Sequence, residues 1–205
     1  MPMFPLGSVL LPGALLPLHV FEPRYRDMVR DCLRSDGAPE FGQVLITHGW
    51  ETGGGDERAM VGTVAQMLHV DALDENRYAL VAVGTRRIRV AAWLPDDPYP
   101  VAEVEDWPDT DPDVSGLAAR IPDSRHRVRD VIGLAARLGE VPEQAEREDI
   151  SDDPLLATYH LAALAPLGPA DRYKLLAAPG PSERLDLLDS ILDDVEAMLR
   201  FRLSG

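Results

Sequence analysis

MPMFPLGSVLLPGALLPLHVFEPRYRDMVRDCL, residues 1–33, is the stretch whose reading decides the fold. Pro2, Pro5, Pro12 and Pro17 interrupt its apolar residues up to Val20. Proline lacks a backbone N–H and disfavours helix at the residue before it, so two short extended pieces are predicted there instead of a helix. From Pro23 the period changes. Tyr25, Met28, Val29, Cys32 and Leu33 fall at i, i+3, i+4, i+7 and i+8, one apolar stripe on an amphipathic helix. Pro23 suits the first turn and Gly37 lies just past the end. A strand thus feeds directly into a helix.

Working outward, Phe41 to His48 reads as a short strand, and Gly49 to Asp56 as an exposed, flexible loop with three consecutive glycines. A phosphate-binding loop would continue with Gly-Lys-Ser/Thr into a helix; here Asp56, Glu57 and Arg58 follow, and the next segment is a strand. That strand, Ala59 to Val70, contains Gly62, where a bulge or close backbone approach is expected. Tyr78 to Gly84 and Arg87 to Leu94 read as two further strands separated at Gly84-Thr85-Arg86, the second with Arg87 and Arg89 on a wet face. Val101 to Val104 continues the sheet. Short, closely spaced strands of this kind predict a small curled sheet or barrel.

The first stretch resembles the opening of the N-terminal substrate-binding domain of Lon proteases. The residues that carry the likeness are apolar-Pro-Leu, a Pro-Gly turn, Pro17-Leu18-His19-Val20-Phe21-Glu22, and then Arg24-Tyr25-Arg26 opening the helix. VGTVAQM and RYALVAVGTRRIRV are similar to the family's later strands, with Gly62, Gly84, Arg87 and Ile88 at matching positions. The resemblance implies an α+β fold: a PUA-like β-pseudobarrel of about six strands with one early helix packed on it, followed by an α-helical subdomain. Barrel and helices are expected to divide at 1–110 and 111–205, together forming one such domain.

The boundary is read at Trp107 to Ser115, where prolines and aspartates cluster and the period passes from 2 to 3.6. Gly116 to Leu138 is predicted as one long helix, with Pro122 calling for a kink or late start. Gly139 to Asp153 is acidic and polar, a predicted loop. Helices follow at Pro154 to Leu164, Pro169 to Ala177 and Glu183 to Leu203, the last with Ser182 as N-cap. This order also resembles the helical part of the Lon N-terminal region.

Composition narrows the function. The 205 residues are 45 % hydrophobic, enough to bury roughly 70 % of the unfolded surface. No apolar run approaches the roughly 18 residues of a membrane span, and Pro5, Pro12 and Pro17 break any signal-peptide core, so a cytoplasmic location is expected. Cys32 stands alone, which excludes an intrachain disulfide and a thiolate zinc cluster. The net charge of −15 repels phosphate backbones and makes nucleic acid an unfavoured partner.

No Gly-x-x-x-x-Gly-Lys-Ser/Thr occurs, and with the chain ending at Gly205 no room is expected for the separate peptidase domain whose Ser-Lys dyad the resemblance would otherwise imply. The five histidines are scattered without metal-ligand spacing; His19 with Glu22 is the nearest pair and reads as a cap or internal hydrogen bond. Arg24, Arg26, Arg86, Arg87 and Arg89 read as salt-bridge partners of the many carboxylates, and Arg120, Arg125, Arg127 and Arg129 as a solvated helix face. No catalytic residue, metal or cofactor is expected.

What remains is surface recognition. Trp50, Trp93, Leu94, Tyr99 and Trp107 stand at loop-like positions, where apolar anchors of interfaces are found. Pro17, Leu18, Phe21, Glu22, Arg24, Tyr25, Gly62, Gly84 and Arg87 are the motif residues, expected to serve the fold. The resemblance implies a non-enzymatic module that holds unfolded or exposed apolar polypeptide for a separate ATP-dependent protease or chaperone. RNA or nucleotide binding through the PUA-like barrel, and an enzyme acting with a partner ATPase, are the rival readings.

Overall fold

Proline and alternation shape the first part of the chain as the sequence requires. The structure, a computed structural model, describes residues 1–51, 55–74, 76–110, 114–140 and 150–204. It divides into two units, Met1–Pro108 and Asp109–Gly205. The first holds β1 (Met3–Leu6), β2 (Leu15–Val20), α1 (Pro23–Arg34), β3 (Glu40–His48), β4 (Glu57–Asp74), β5 (Arg77–Leu94) and β6 (Val101–Asp106).

The strands form one mixed sheet in the order β1-β3-β4-β5-β2, with β6 also on β5. Among the described residues only the β1–β3 pair is parallel. The sheet closes on itself where β1 meets β6: Met3 N–H donates to the Pro100 carbonyl at 2.8 Å, and Ala102 N–H to the Met1 carbonyl at 3.1 Å. Closure leaves two apolar layers, because alternate residues of a strand face opposite sides. Met3, Val44, Val64, Ile88, Val90 and Ala102 form one. In the other, Phe4, Val20, Phe41, Met67 and Leu80 pack with Tyr25, Met28, Val29 and Cys32 of α1. Each large side chain so buried contributes about 1.5–3 kcal/mol. Leu33, expected on that stripe, is 47 % exposed: the helix rests on a narrower face than the spacing allowed.

The predicted break at Gly84-Thr85-Arg86 is not a break. β5 runs unbroken through it, and the register passes from Ala65↔Gly84 to Thr63↔Arg87, so two residues of β5 stand opposite one of β4. This bulge redirects the strand. Before it, β5 pairs with β2; beyond it, with β6. β5, at 18 residues, therefore joins the two short strands expected, and β4, also 18 residues, runs past both ends of the long strand expected over Ala59 to Val70. Arg87 is not on a wet face either. It is buried, with its guanidinium 4.6 Å from the centre of the Trp107 ring.

The 7–14 segment crosses the sheet and is tied to it by two buried polar residues. Gln43 Oε1 accepts from Leu10 N–H at 2.9 Å while its Nε2 donates to the Ser8 carbonyl at 2.7 Å. Thr63 Oγ1 donates to the Leu10 carbonyl at 2.6 Å. Gly62 is needed for another reason: a Cβ there would stand 2.3 Å from the Gln43 carbonyl oxygen.

The second unit holds α2 (Val114–Arg137), α3 (Pro154–Leu164), α4 (Pro169–Leu176) and α5 (Pro181–Ser204). α2 continues through Pro122. It buries Leu117, Val128, Val131, Ile132 and Ala135 and packs on α3 and α5. Asp153 caps α3 through Leu155 N–H at 2.9 Å. α5 begins before the predicted Ser182 cap, at Pro181, with Arg184 N–H donating to the Gly180 carbonyl. Arg120 and Arg127 do not form a solvated face. They pair with Asp186, Asp189 and Asp193 along the α2–α5 seam. Most of the loop predicted over Gly139 to Asp153 lies outside the described residues.

Candidate functional site

The alternation in β2, LLPLHV, has a consequence beyond the core. Leu16, Leu18 and Val20 turn toward the layer under α1, which leaves Leu15, Pro17 and His19 on the outer face. Among the described residues β2 pairs with β5 alone, at the end of the strand order. Register then sets the neighbours: Pro17 lies beside Val81, which faces His69 on its other side, and His19 beside Ala79, which faces Asp71. These residues, with Leu18 and Leu80, line an open cleft of about 370 Å³.

A second, smaller cleft of about 120 Å³ adjoins it and shares Leu18 and His19. Its walls come from the two opposite ends of the strand order, Phe4 and Leu6 of β1 and Val20 of β2, with Phe21, Glu22, Tyr25 and Glu51 around them. Phe4 stacks on Tyr25 with ring centres 4.0 Å apart. Burial pushes the Tyr25 hydroxyl from 10.0 up to about 12, so this wall stays neutral at any physiological pH. Glu22 is the residue preceding α1 but makes no side-chain cap; its Oε2 accepts from Arg24 Nε at 3.1 Å. Arg24 also donates to the Glu51 carbonyl at 3.2 Å, and Glu51 Oε1 accepts from Gly7 N–H at 2.6 Å. The rim is thus held by its own ion pair and backbone bonds.

Two large side chains stand out beside these clefts. Phe21 is 59 % exposed, and Trp50, next to Glu51, is 82 % exposed. The other sequence candidates do not gather around them. Trp93 is half-buried beneath the Arg58 guanidinium, which lies 4.8 Å from its ring and is itself bound to Asp56 and Asp96. Leu94 is exposed at the end of β5. Tyr99 packs against the layer under α1, and its hydroxyl donates to Asp31 at 3.0 Å. Trp107 is half-buried against Arg87.

The motif residues Pro17, Leu18, Phe21, Glu22 and Tyr25 all line a cleft, although the sequence suggested only a role in the fold. His69, Asp71, Ala79 and Val81 had no sequence signal. Register alone sets Ala79 and Val81 beside β2 and His69 and Asp71 across β5 from it. Among the described residues no group of three or more His, Cys, Asp or Glu is placed to hold a metal. The clefts can accept apolar side chains, and their residues have no nucleophile with an attendant base.

Comparison with known proteins gives this surface a family. The model of the ATP-dependent protease La (LON) substrate-binding domain matches residues 1–194. The chain belongs to the Lon substrate-binding domain family. The crystal structure of a Lon N-terminal domain protein from Xanthomonas campestris is 31 % identical, with a TM-score of 0.62 over 93 % of this chain and 96 % of that one. The N-terminal domain of the Mycobacterium avium complex Lon protease has a TM-score of 0.66 over 94 % of this chain and 97 % of that one, and at 18 % identity shares the fold.

Among full-length relatives, Lon protease 2 of Sorangium cellulosum is 28 % identical over 98 % of this chain and 25 % of its own length. The Lon protease of Anaeromyxobacter dehalogenans is 30 % identical over 67 % of this chain and 16 % of its own. This Lon-type domain therefore spans a quarter or less of the curated relatives it matches. Its α+β architecture, a closed mixed sheet of six strands with helices, is that of the solved Lon N-terminal domains.

Proposed function

We propose that this chain recognises polypeptide: the sheet unit takes exposed apolar segments of client proteins into the two clefts that meet at Leu18 and His19. The observation that carries the reading is that the two clefts share Leu18 and His19 and are lined by apolar side chains of the layer under α1, Leu18 and Leu80 in the larger and Phe4, Val20 and Tyr25 in the smaller, with Phe21 bordering the smaller. Membership in a substrate-binding family supports it. The smaller cleft, about 120 Å³, has room for a side chain.

Pro17 argues for the mode. An edge strand carrying proline lacks a donor and is a poor template for strand addition, so side chains rather than a backbone ladder make the contact. Trp50 extends the surface at its Glu51 end; Leu94, Trp93, Tyr99 and Trp107 are secondary. In this reading residues 1–110 recognise the client, 111–205 form the separate helical subdomain, and a separate ATP-dependent protease receives what is bound. The chain itself makes and breaks no covalent bond. No helix among the described residues is long and apolar enough to cross a membrane.

Fluorescence anisotropy of a labelled, permanently unfolded protein titrated with the chain tests the proposal. Saturable binding that weakens in Phe21→Ser is expected. Absence of association at tens of micromolar, or equal binding of the same protein in its native state, would sink it.

A further inference from the structure

We infer that the segments bound here are apolar stretches flanked by lysine or arginine, and that acidic flanks are rejected. This rests on the polypeptide-binding reading and concerns its charge selectivity.

The lining of the two clefts includes three carboxylates, Glu22, Glu51 and Asp71, and no arginine or lysine among its described residues. Arg24, the nearest cation in sequence, is engaged by Glu22, by the Glu51 carbonyl and by the face of Tyr25. Elsewhere in the sheet unit Arg58 pairs with Asp56 and Asp96, Arg86 with Glu40 and Asp106, and Arg77 with Asp74, while Arg26 donates to Asn76 Oδ1. The whole chain carries 35 Asp and Glu against 20 Lys and Arg.

An apolar segment entering the clefts thus brings its flanks to a lining that carries carboxylates and no arginine or lysine among its described residues. Asp71, bonded to His69 at 2.9 Å, lines the larger cleft, and Glu22 and Glu51 line the smaller. A cationic flank gains attraction and a faster encounter; an anionic one meets like charge.

The test uses four fluorescent peptides and the full chain: one apolar centre flanked by Lys, by Ser or by Glu, and a Lys-flanked peptide with a Ser-Gly centre. The Lys-flanked apolar peptide is expected to bind on the order of tenfold more tightly than its Glu-flanked counterpart at low salt, with the ratio shrinking as salt screens the rim. Glu22→Gln with Asp71→Asn should lower that ratio, the affinities of the Lys- and Glu-flanked peptides each converging on that of the Ser-flanked peptide measured on the same variant. Equal binding of the three apolar peptides overturns the charge selectivity and leaves polypeptide recognition standing. Equal binding of the Ser-Gly peptide overturns it as mere ion exchange, and no binding by any peptide overturns both.

Discussion

The carbonyl oxygen of Leu11 lies 2.4 Å from the point where a Cβ on Gly84 would stand. The crossing segment is also bonded to both sides of that residue, Gly13 N–H to the Gly84 carbonyl at 2.8 Å and Gly84 N–H to the Ala14 carbonyl at 2.9 Å. Gly84→Ala therefore forces backbone against backbone. We expect it to destabilise the fold by about 1–3 kcal/mol, read as a lower urea midpoint with an unchanged slope.

Arg184 is fully buried, and its partners are Asp109, Thr158 Oγ1, Tyr159 Oη and the Leu175 carbonyl. Removing either charge of such a pair strands the other, at a cost of about 3–5 kcal/mol. Arg184→Met and Asp109→Ala should each unfold at markedly lower temperature. The double variant should cost clearly less than the sum, and strict additivity in the cycle would show that the pair does not couple.

Phe21 buries little of itself, so its loss should separate recognition from folding. Phe21→Ser is expected to weaken binding of an unfolded client by roughly tenfold, in the range of an interface anchor. Its thermal midpoint should match that of the parent chain, since surface changes typically stay within about 0.5 kcal/mol. A large drop in the midpoint would make Phe21 a residue of the fold instead.

Alkaline pH should loosen the layer under α1. Burial pushes the Cys32 thiol from 9.0 to about 11 and the Tyr25 hydroxyl from 10.0 to about 12. Both groups hold their protons more tightly folded than unfolded, so stability falls as pH rises past about 9. Denaturation midpoints between pH 8 and pH 11 should decline, and the decline should shrink in Cys32→Ala. Cys32 should also react with iodoacetamide on the order of 100-fold more slowly than an unfolded control, because the thiolate is the nucleophile. A rise in stability over this interval would contradict both shifts.

Gln43 gives a local test. Gln43→Leu leaves Leu10 N–H and the Ser8 carbonyl without their buried partner, a cost of about 1–3 kcal/mol. Hydrogen exchange at Leu10 should accelerate well beyond that of the β4 core amides. Uniform acceleration across the sheet would mean that the 7–14 segment has no independent opening.

The sequence by itself determined the elements of this protein. Proline spacing dictated the extended entry, the Tyr25-Met28-Val29-Cys32 stripe dictated α1, and the change of period after Trp107 marked the passage to helices, because backbone sterics and amphipathic period are local properties. Motif residues quoted from residues 17–25 pointed to the family. Tertiary structure alone decided that Gly84-Thr85-Arg86 is a bulge within one long strand, that Arg87 is buried against Trp107, and that Ala79 and Val81 border β2 with His69 and Asp71 across them on β4. Strand register and ring closure join residues distant in the chain, and nothing in the local pattern of either partner encodes which residue it will face.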